Sequence, residues 1–368
     1  KHLAYEICRH REASLEPVPA STLMLELTAG VKLTYLAEGA ANIVYNISSD
    51  PYPSAAPARA PDISGTKPRT GLGQAQAAYP GKLLRLRKKI DSGTPYLEIT
   101  RRFNSQVRSL FQDEELVSQE LVRLPDGLTT ACNERLRDDE AQDRRPMKRR
   151  GVYLCTDEPF GLLIKDMTAS PGSGATLWEF KPKWLVQSPS APPDSRRCRT
   201  CALREKRQFT TSRGATMDKT AEQLQGKRSF CPLDLVSNRL EDIMSAVSVI
   251  IDSPDDARRI AAFIYQNPTL LKLRDKQHQM NAVGLEGIHA SPEERAISMT
   301  LRDCTMFVKV PQKHNEPLEL RLGDLDFKSE DGGKLQYWQD TETELIEEGW
   351  YLGVHRSQDK NTECALGR

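Results

Sequence analysis

Alternating apolar and polar residues run through the first half of the chain and predict strands there. Residues 33–47 (LTYLAEGAANIVYNI) indicate a strand, a turn of small residues and a second strand. Residues 81–90 (GKLLRLRKKI) predict a third strand. The segments 151–157 (GVYLCTD) and 160–167 (FGLLIKDM) predict two more. The first half is therefore expected to form a sheet.

The second half of the chain has mainly helical periodicity. One helical stretch is already expected from Thr94 in the first half, and helices are expected to dominate from about residue 238 to 300. Two strands follow at 304–310 (CTMFVKV) and 318–328 (LELRLGDLDFK), and a last helix begins near Leu335. Strands followed by helices predict an α+β protein of two lobes with a cleft between them.

Changes in composition suggest where the lobes begin and end. The expected division is a lead-in at 1–30, a first lobe at 31–167 and a second at 168–368. Two segments are expected to lack regular structure: a Pro-, Ala- and Gly-rich surface insert at 50–80 and a polar, basic stretch at 186–230. Residues 134–150 form a dense run of charges of both signs.

The overall charge is nearly balanced, because 52 basic and 51 acidic residues give a net charge of +1 over 368 residues. A general polycation is excluded, so any anion site needs local clustering. There is no apolar run of membrane-spanning length and no secretory core in the first residues, although the chain begins without Met. The eight scattered cysteines favour free thiols in a reducing compartment. Cys198 and Cys201 have zinc-ligand spacing, but without a second such pair no zinc is expected.

Two segments of the first half suit phosphate groups. In 37–45 (AEGAANIVY) small residues between strands let backbone N–H groups approach a phosphate, and an ordinary hairpin turn is the alternative. In 81–90, Arg85 and Arg87 share one face of the strand. That face could hold nucleotide phosphates or belong to a solvated edge strand.

The heptapeptide 178–184 (WEFKPKW) is the clearest anion signal. In an extended segment Lys181 and Lys183 point to the same side, and their repulsion among aromatic residues needs a compensating anion. The alternative is a pair of lysines that reach solvent at a strand end. The basic segment 195–213 also needs a polyanion or open solvent.

Carboxylates mark the remaining candidate sites. Asp303 enters a strand from a helix end, so it could act as a base or as a junction cap. At Gly323 the apolar register changes, which leaves Asp324, Asp326 and Lys328 on one face. Two carboxylates on one face suit Mg²⁺.

A phosphate-binding turn, basic strands, an acidic Mg²⁺ site and a further Asp as base together indicate phosphoryl transfer. The P-loop GK[ST] and the protein-kinase HRD and DFG signatures are absent. The excess of basic clusters favours a heavily phosphorylated acceptor.

Seven motifs occur in an order that resembles the inositol-pentakisphosphate 2-kinase family, most of all its fungal members. They are EGAANIV, GKLLRLRK, EFKPKW, CRTCALR, CPLDLVS, RDCTMF and GDLDFK, and they span about Leu36 to Lys328. The resemblance implies transfer of the ATP γ-phosphate to the 2-hydroxyl of inositol 1,3,4,5,6-pentakisphosphate, which yields phytate. It also implies a two-lobed fold distantly like protein kinases.

The resemblance also implies roles for individual residues. The loop over the ATP phosphates would consist of Glu38, Gly39, Ala40, Ala41 and Asn42, and Arg85 would contact the same phosphates. Asp303 would be the base, Lys181 and Lys183 would bridge the transferred and acceptor phosphates, and Asp324 and Asp326 would bind Mg²⁺. The inositide would be bound by Arg149, Arg207 (or Lys206), Asn267, Lys272 and Lys328.

This chain departs from the family in three places. Ala40 replaces a second glycine, Lys328 is not followed by proline, and the Cys/His cluster of plant members has no counterpart, so no zinc is expected. The cofactors implied are ATP and Mg²⁺, in a monomer of the nucleus or cytoplasm with no specific nucleic acid or membrane partner. The alternatives are a kinase for another inositol polyphosphate and an RNA- or phosphoinositide-binding protein without enzymatic activity.

Overall fold

The structure is a computed structural model of the 368-residue chain. It describes residues 24–48, 79–90, 93–170, 172–214, 229–328, 330, 332–354 and 364–368, with only the backbone for 211–214.

The first half of the chain forms a six-stranded sheet in the order β1-β5-β6-β4-β3-β2. All its neighbouring strands are antiparallel except β1 and β5, which are parallel. The strands are β1 (Leu25–Glu26), β2 (Lys32–Glu38), β3 (Asn42–Ser48), β4 (Lys82–Arg87), β5 (Gln119–Arg123) and β6 (Phe160–Lys165).

Alternation along β3 explains the core of this sheet. Ile43, Tyr45 and Ile47 are buried and pack with Leu84 and Leu86 of β4. The described residues of this half contain two α-helices, α1 (Tyr96–Arg102), which continues as a π-helical turn, and α2 (Leu128–Ala141).

The second half combines a three-stranded antiparallel sheet with most of the helices. Its strands are β7 (Thr176–Phe180), β8 (Thr305–Val310) and β9 (Glu319–Gly323). Its helices are α3 (Arg199–Gly214), α4 (Leu240–Ile250), α5 (Pro254–Ile264), α6 (Pro268–Gln279), α7 (Pro292–Leu301) and α8 (Lys334–Glu347).

Three helices of this half begin with the same sequence device. Ser253, Asn267 and Ser291 each accept a hydrogen bond from the first turn of the following helix, and each is followed by proline. Such caps satisfy otherwise unpaired N–H groups, and proline at the first helical position costs no hydrogen bond. The helices pack against β7–β9 in a core separate from that of the first sheet.

The two sheets meet along β9. The Val117 amide donates to the Leu322 carbonyl at 2.8 Å, and Arg321 Nη1 donates to the Leu116 carbonyl at 2.9 Å. Lys165 at the end of β6 pairs with Glu319 at 2.7 Å. The strand that leads to Asp324 is therefore fixed relative to the first sheet.

The α+β class, the hairpin at 33–47, the strand at 81–90 and the helices after residue 238 are confirmed. The strand predicted at 151–157 is wrong, because only an isolated bridge between Lys88 and Leu154 forms there. The loop predicted at 186–230 is wrong in part, because it contains α3. Part of the charge run at 134–150 belongs to α2.

The division into lobes at residue 167 and its likeness to kinases stay predictions. Within the lead-in, Leu25–Glu26 form strand β1. Most of the insert predicted at 50–80 lies outside the described residues.

Candidate active site

Lys181 and Lys183 leave the end of β7 and face the junction between α7 and β8. Strand β7 stops at Phe180, and Lys183 has a φ of 63°. This left-handed conformation is uncommon for a residue with a Cβ and costs free energy, so it persists only where the surroundings impose it. Asp303 lies between Leu301, the last residue of α7, and Thr305, the first of β8.

Three ammonium groups surround the Asp303 carboxylate. Lys183 Nζ lies 2.9 Å from Oδ1, while Lys181 Nζ and Lys328 Nζ lie 3.2 and 2.9 Å from Oδ2. Lys181 also donates to the Asp303 carbonyl at 2.8 Å. The junction-cap alternative therefore does not account for this carboxylate, whose partners are side chains from distant segments.

The cluster shifts the pKa values of Asp303 and Lys181. Burial alone would raise the pKa of Asp303, but the ammonium groups of Lys328, Lys183 and Lys181 outweigh burial and hold that pKa well below its ordinary value. Burial would lower the pKa of Lys181, and the carboxylates of Asp324 and Asp303 reverse this and raise it. The cluster brings three lysine side chains together with two carboxylates, those of Asp303 and Asp324, so basic groups are in excess and can accept a further anion.

Asp324 follows β9 directly and turns toward the lysines. Its φ is 53°, and its Oδ2 accepts from Lys181 at 2.9 Å. At the preceding Gly323 an added Cβ would lie 2.9 Å from the Phe307 ring and 3.1 Å from Val117, so a side chain has no room there. The side chain of Asp324 is 38% exposed, which leaves carboxylate oxygen accessible to a cation.

Asp326 is engaged differently, since it forms a bidentate ion pair with Arg85 of β4. The Asn42 amide, oriented to satisfy both neighbours, accepts from Arg85 Nε at 3.2 Å and donates to the Tyr96 hydroxyl at 2.9 Å. Asp326 raises the pKa of Arg85 against the effect of burial. The proposed nucleotide residues Asn42 and Arg85 are thus brought to the segment that carries Asp324.

The other residues of the proposed ATP loop lie either at the tip of the β2–β3 hairpin or at the strand end below it. Gly39 and Ala40 are exposed at the tip of the β2–β3 hairpin. The Glu38 side chain is buried and pairs with Lys88 and with Arg145, the latter at 2.9 Å. Lys88 Nζ also donates to the Gly39 carbonyl at 2.9 Å. The Glu38 side chain therefore holds the end of β2 in place, and any phosphate contact of this residue would come from its backbone.

Within the described residues, no hydrogen bond or ion pair joins four of the predicted inositide residues to the Asp303 cluster. Asn267 caps α6, and Lys272 pairs with Glu115 at 2.6 Å. Arg207 Nη2 donates to the Tyr337 hydroxyl at 3.1 Å. Arg149 has a buried Nε without a hydrogen-bond partner and lies close enough to Tyr35 and Lys88 to influence their pKa values.

A cluster of four cysteines lies elsewhere in the second half. The buried sulfurs of Cys198, Cys201, Cys231 and Cys364 lie within 4.8 Å of one another. The Cys231 sulfur is 3.8 Å from that of Cys198 and 3.6 Å from that of Cys364. The premise for expecting no zinc, that no further ligands accompany Cys198 and Cys201, is therefore wrong.

Sequence reasoning missed several residues that support the site. The sequence places Lys88 in the strand at 81–90 and Arg145 in the charge run at 134–150, with no signal for a role of its own in either case, and Gln277 gives no signal because it is an isolated amide in a helix. Cys231 lies in the CPLDL motif, where a single cysteine has no ligand spacing of its own. Cys364 is 133 residues further along, beyond the reach of ligand-spacing rules.

Comparisons with known proteins point to one family. The family model described as inositol-pentakisphosphate 2-kinase matches residues 35–262 and 256–344. A Yarrowia lipolytica protein named inositol-pentakisphosphate 2-kinase is 30% identical over 229 residues, which cover 57% of this chain and 69% of that protein. Within the described residues, no helix has both the length and the hydropathy needed to cross a membrane.

Proposed function

Because the chain belongs to the inositol-pentakisphosphate 2-kinase family, we propose that it transfers the γ-phosphate of ATP to the 2-hydroxyl of inositol 1,3,4,5,6-pentakisphosphate. Family membership makes it a phosphotransferase with a small inositol phosphate as its substrate. The position of the hydroxyl, the number of phosphates on the acceptor and the residue roles below belong to the proposal.

The observation that carries the proposal is the Asp303 carboxylate held within 2.9–3.2 Å of three ammonium groups. A base that takes a proton from a hydroxyl must lie within hydrogen-bond reach of it. When that hydroxyl is flanked by phosphates, its neighbours bring several negative charges to the base. Lys181, Lys183 and Lys328 can neutralise those charges while Asp303 keeps access to the hydroxyl proton.

In the proposed reaction the acceptor hydroxyl binds at Asp303 and attacks the γ-phosphorus of ATP. A new phosphorus–oxygen bond forms, the bond to the ADP oxygen breaks, and Asp303 accepts the hydroxyl proton. Lys181 lies against both Asp303 and Asp324, so its ammonium is placed to stabilise charge on the transferred group. Positioning and charge neutralisation supply most of the catalysis in phosphoryl transfer.

The nucleotide would lie between the β2–β3 hairpin and the segment after β9. The exposed tip at Gly39–Ala40 would cover its phosphates, with Arg85 and Asn42 beside them. Mg²⁺ is expected on Asp324, whose side chain is partly exposed and lies next to Lys181. Asp326 is already paired with Arg85, so it fits the weaker of the two metal roles. Mg²⁺ would neutralise charge on the nucleotide phosphates.

The proposal is tested by incubating the protein with Mg²⁺, γ-labelled ATP and each of several inositol phosphates. The expected result is transfer to the pentakisphosphate, with a product whose phosphorus NMR spectrum is that of the hexakisphosphate. Transfer only to lower inositol phosphates would overturn the acceptor and favour the alternative kinase. Salt-sensitive RNA or phosphoinositide binding with no transfer at all would overturn the enzymatic proposal.

We also propose that the four-cysteine cluster binds Zn²⁺, in place of the earlier expectation of no zinc. Four thiolates are a structural ligand set, and zinc–sulfur bonds of about 2.3 Å place tetrahedral sulfurs about 3.8 Å apart. The separations of 3.8 and 3.6 Å between the Cys231 sulfur and its two neighbours fit this geometry. Elemental analysis of purified protein should give about one zinc per chain. A metal-free protein that remains folded and does not take up added zinc would contradict it.

The monomeric state and the location in the nucleus or cytoplasm stay predictions.

A further inference from the structure

Arg302, next to the proposed base, is buried without a carboxylate partner. Its relative exposure is 1%. Its Nη1 donates to the carbonyls of Met280 and Ser298 at 2.9 Å, and its Nη2 donates to the Gln277 carbonyl at 2.6 Å and to Asn281 Oδ1 at 2.7 Å. Among the described residues all these acceptors are uncharged. Burying a charge without an ion pair is costly, so this arrangement needs a reason.

The Trp184 ring supplies the remaining contact of this guanidinium. Arg302 Cζ lies 4.8 Å from the ring centroid of Trp184, and Arg199 Cζ lies 4.3 Å from it. Cation–π attraction partly offsets the cost of burial. Burial, and to a smaller degree the charge of Arg199, lowers the pKa of Arg302 to about 9. The charge of Arg199 is compensated by the carboxylate of Glu342 at 2.7 Å. The charge of Arg302 is instead stabilised by the carbonyl and amide dipoles and by the Trp184 ring.

The stack of the Arg302 guanidinium on the Trp184 ring joins the two segments that carry Lys183 and Asp303. Trp184 directly follows Lys183, and Arg302 directly precedes Asp303. Contact between the ring and the guanidinium therefore fixes the backbone of one segment against that of the other. The Lys183 ammonium and the Asp303 carboxylate, 2.9 Å apart, lie one residue from each end of this stack.

Gln277 of α6 connects the same two segments through its side chain. It is fully buried, and its Nε2 donates to the carbonyls of Lys183 and Leu301, both at 2.9 Å. Its Oε1 accepts from the Leu185 amide at 2.8 Å, and its own carbonyl receives the bond from Arg302. These bonds hold the carbonyl of Lys183, whose backbone is in the left-handed conformation.

We infer that Arg302, Trp184 and Gln277 form a positioning network that sets the geometry between Lys183 and Asp303. This inference rests on the proposed function of those two residues. Its three side chains are buried within the protein. It keeps the strained 183–185 backbone in register with the α7–β8 junction, so that the ammonium and the base face the same acceptor hydroxyl. Small displacements of groups in such a site lower the rate of the chemical step by up to about a hundredfold.

The test compares Arg302→Met with a matched control, Arg259→Met. Arg259 also donates to backbone carbonyls, those of Pro311 and Lys313 at 2.7 and 3.2 Å, but it lies at the far end of β8. Arg302→Met is expected to lower kcat about tenfold or more, with the KM for ATP changed less than about threefold. Arg302→Lys keeps a cation under the ring and should recover part of kcat. Arg259→Met should leave kcat unchanged.

A second pair of variants keeps the inference testable if Arg302→Met does not fold. Trp184→Phe keeps an aromatic ring, and Trp184→Leu removes it at similar apolar character. We expect kcat to decrease in the order wild type, Trp184→Phe, Trp184→Leu, while both variants stay folded by circular dichroism. The inference is overturned if folded Trp184→Leu or Arg302→Met keeps kcat within about twofold of wild type. It is equally overturned if Arg259→Met loses kcat to the same extent.

Discussion

Two charged residues of the site, Lys183 and Asp324, have left-handed backbone conformations. Their φ values are 63° and 53°, whereas most residues with φ in this range are glycine. Each such position costs free energy of order 1–3 kcal/mol and is retained where it directs a side chain. Here one directs an ammonium to Asp303 and the other directs a carboxylate to Lys181.

Replacing Lys328 by methionine should raise the pKa of Asp303. Lys328 has the largest share among the ammonium groups that lower this pKa, and its Nζ lies 2.9 Å from Oδ2. Because the base works only when deprotonated, activity is lost as pH falls through its pKa. The acid limb of the kcat profile of Lys328→Met should therefore move to higher pH than in wild type. An acid limb at the same pH would show that Asp303 is not the group that titrates.

Replacing Asp324 by asparagine should weaken the response to Mg²⁺. Asparagine tolerates the left-handed backbone, so the change removes charge with little new strain. Titration of activity with Mg²⁺ at fixed ATP is expected to give a half-saturating concentration at least about tenfold higher than in wild type. An unchanged Mg²⁺ response would remove Asp324 from the metal site.

At the scale of elements, local patterns predicted the strands near the site but not the helix α3. The hairpin at 33–47 and the strand at 81–90 follow from alternation and small turn residues, which act within a few positions. Helix α3 has a polar, basic sequence, and its contacts are tertiary. Arg199 pairs with Glu342 and Lys206 with Glu344 of α8. A helix held by such distant partners has no strong periodic signal.

For the site, too, local patterns predicted individual residues but not their tertiary contacts. Lys181, Lys183, Asp303, Asp324 and Lys328 were predicted as site residues because charges on apolar strands stand out in a sequence. Their joining in one cluster, and the support from Gln277 and Arg302, depend on tertiary contacts that no local pattern contains. The same applies to the pair between Arg85 and Asp326, which lie 241 residues apart.

Replacing Asp326 by alanine should destabilise the protein through the contact between β4 and the segment after β9. Arg85 is 8% exposed and would be left without its carboxylate, although Asn42 still accepts one hydrogen bond. Removing one partner of a buried ion pair costs roughly 3–5 kcal/mol, and less here because the Asp326 side chain is 18% exposed.

The measurement is denaturant unfolding of Asp326→Ala beside Asp324→Asn, whose lost carboxylate is 38% exposed. The midpoint of Asp326→Ala should be clearly the lower of the two. Equal midpoints would mean that the Arg85–Asp326 pair does not stabilise the fold.

At the scale of the whole molecule, the second half is held together by contacts between residues far apart in sequence. The cysteine cluster joins the start of α3 at Cys198 and Cys201, the segment at Cys231 and the segment at Cys364. Arg368 adds an ion pair to Asp234. A metal at this point would cross-link three parts of the chain that also carry α3 and its contacts with α8.

Removing zinc should therefore lower the thermal stability of the protein. A ligand bound only by the folded state stabilises it, so incubation with a strong chelator should lower Tm and added Zn²⁺ should restore it. Cys364→Ser should bind zinc more weakly and show a smaller loss of Tm on chelation. Cys304→Ser is the matched control, since Cys304 is buried outside the cluster. A Tm that does not respond to chelation would contradict a structural zinc.

The most direct test of the account is a single-turnover measurement with Asp303→Asn. The change keeps the shape of the side chain and removes the base, while Lys181, Lys183 and Lys328 remain to bind phosphates. We predict that phosphate transfer from ATP to inositol pentakisphosphate falls by at least about a hundredfold. Calorimetry should still detect binding of the acceptor. Transfer at the wild-type rate by folded Asp303→Asn would contradict the assignment of Asp303 as the base and, with it, the proposed active site.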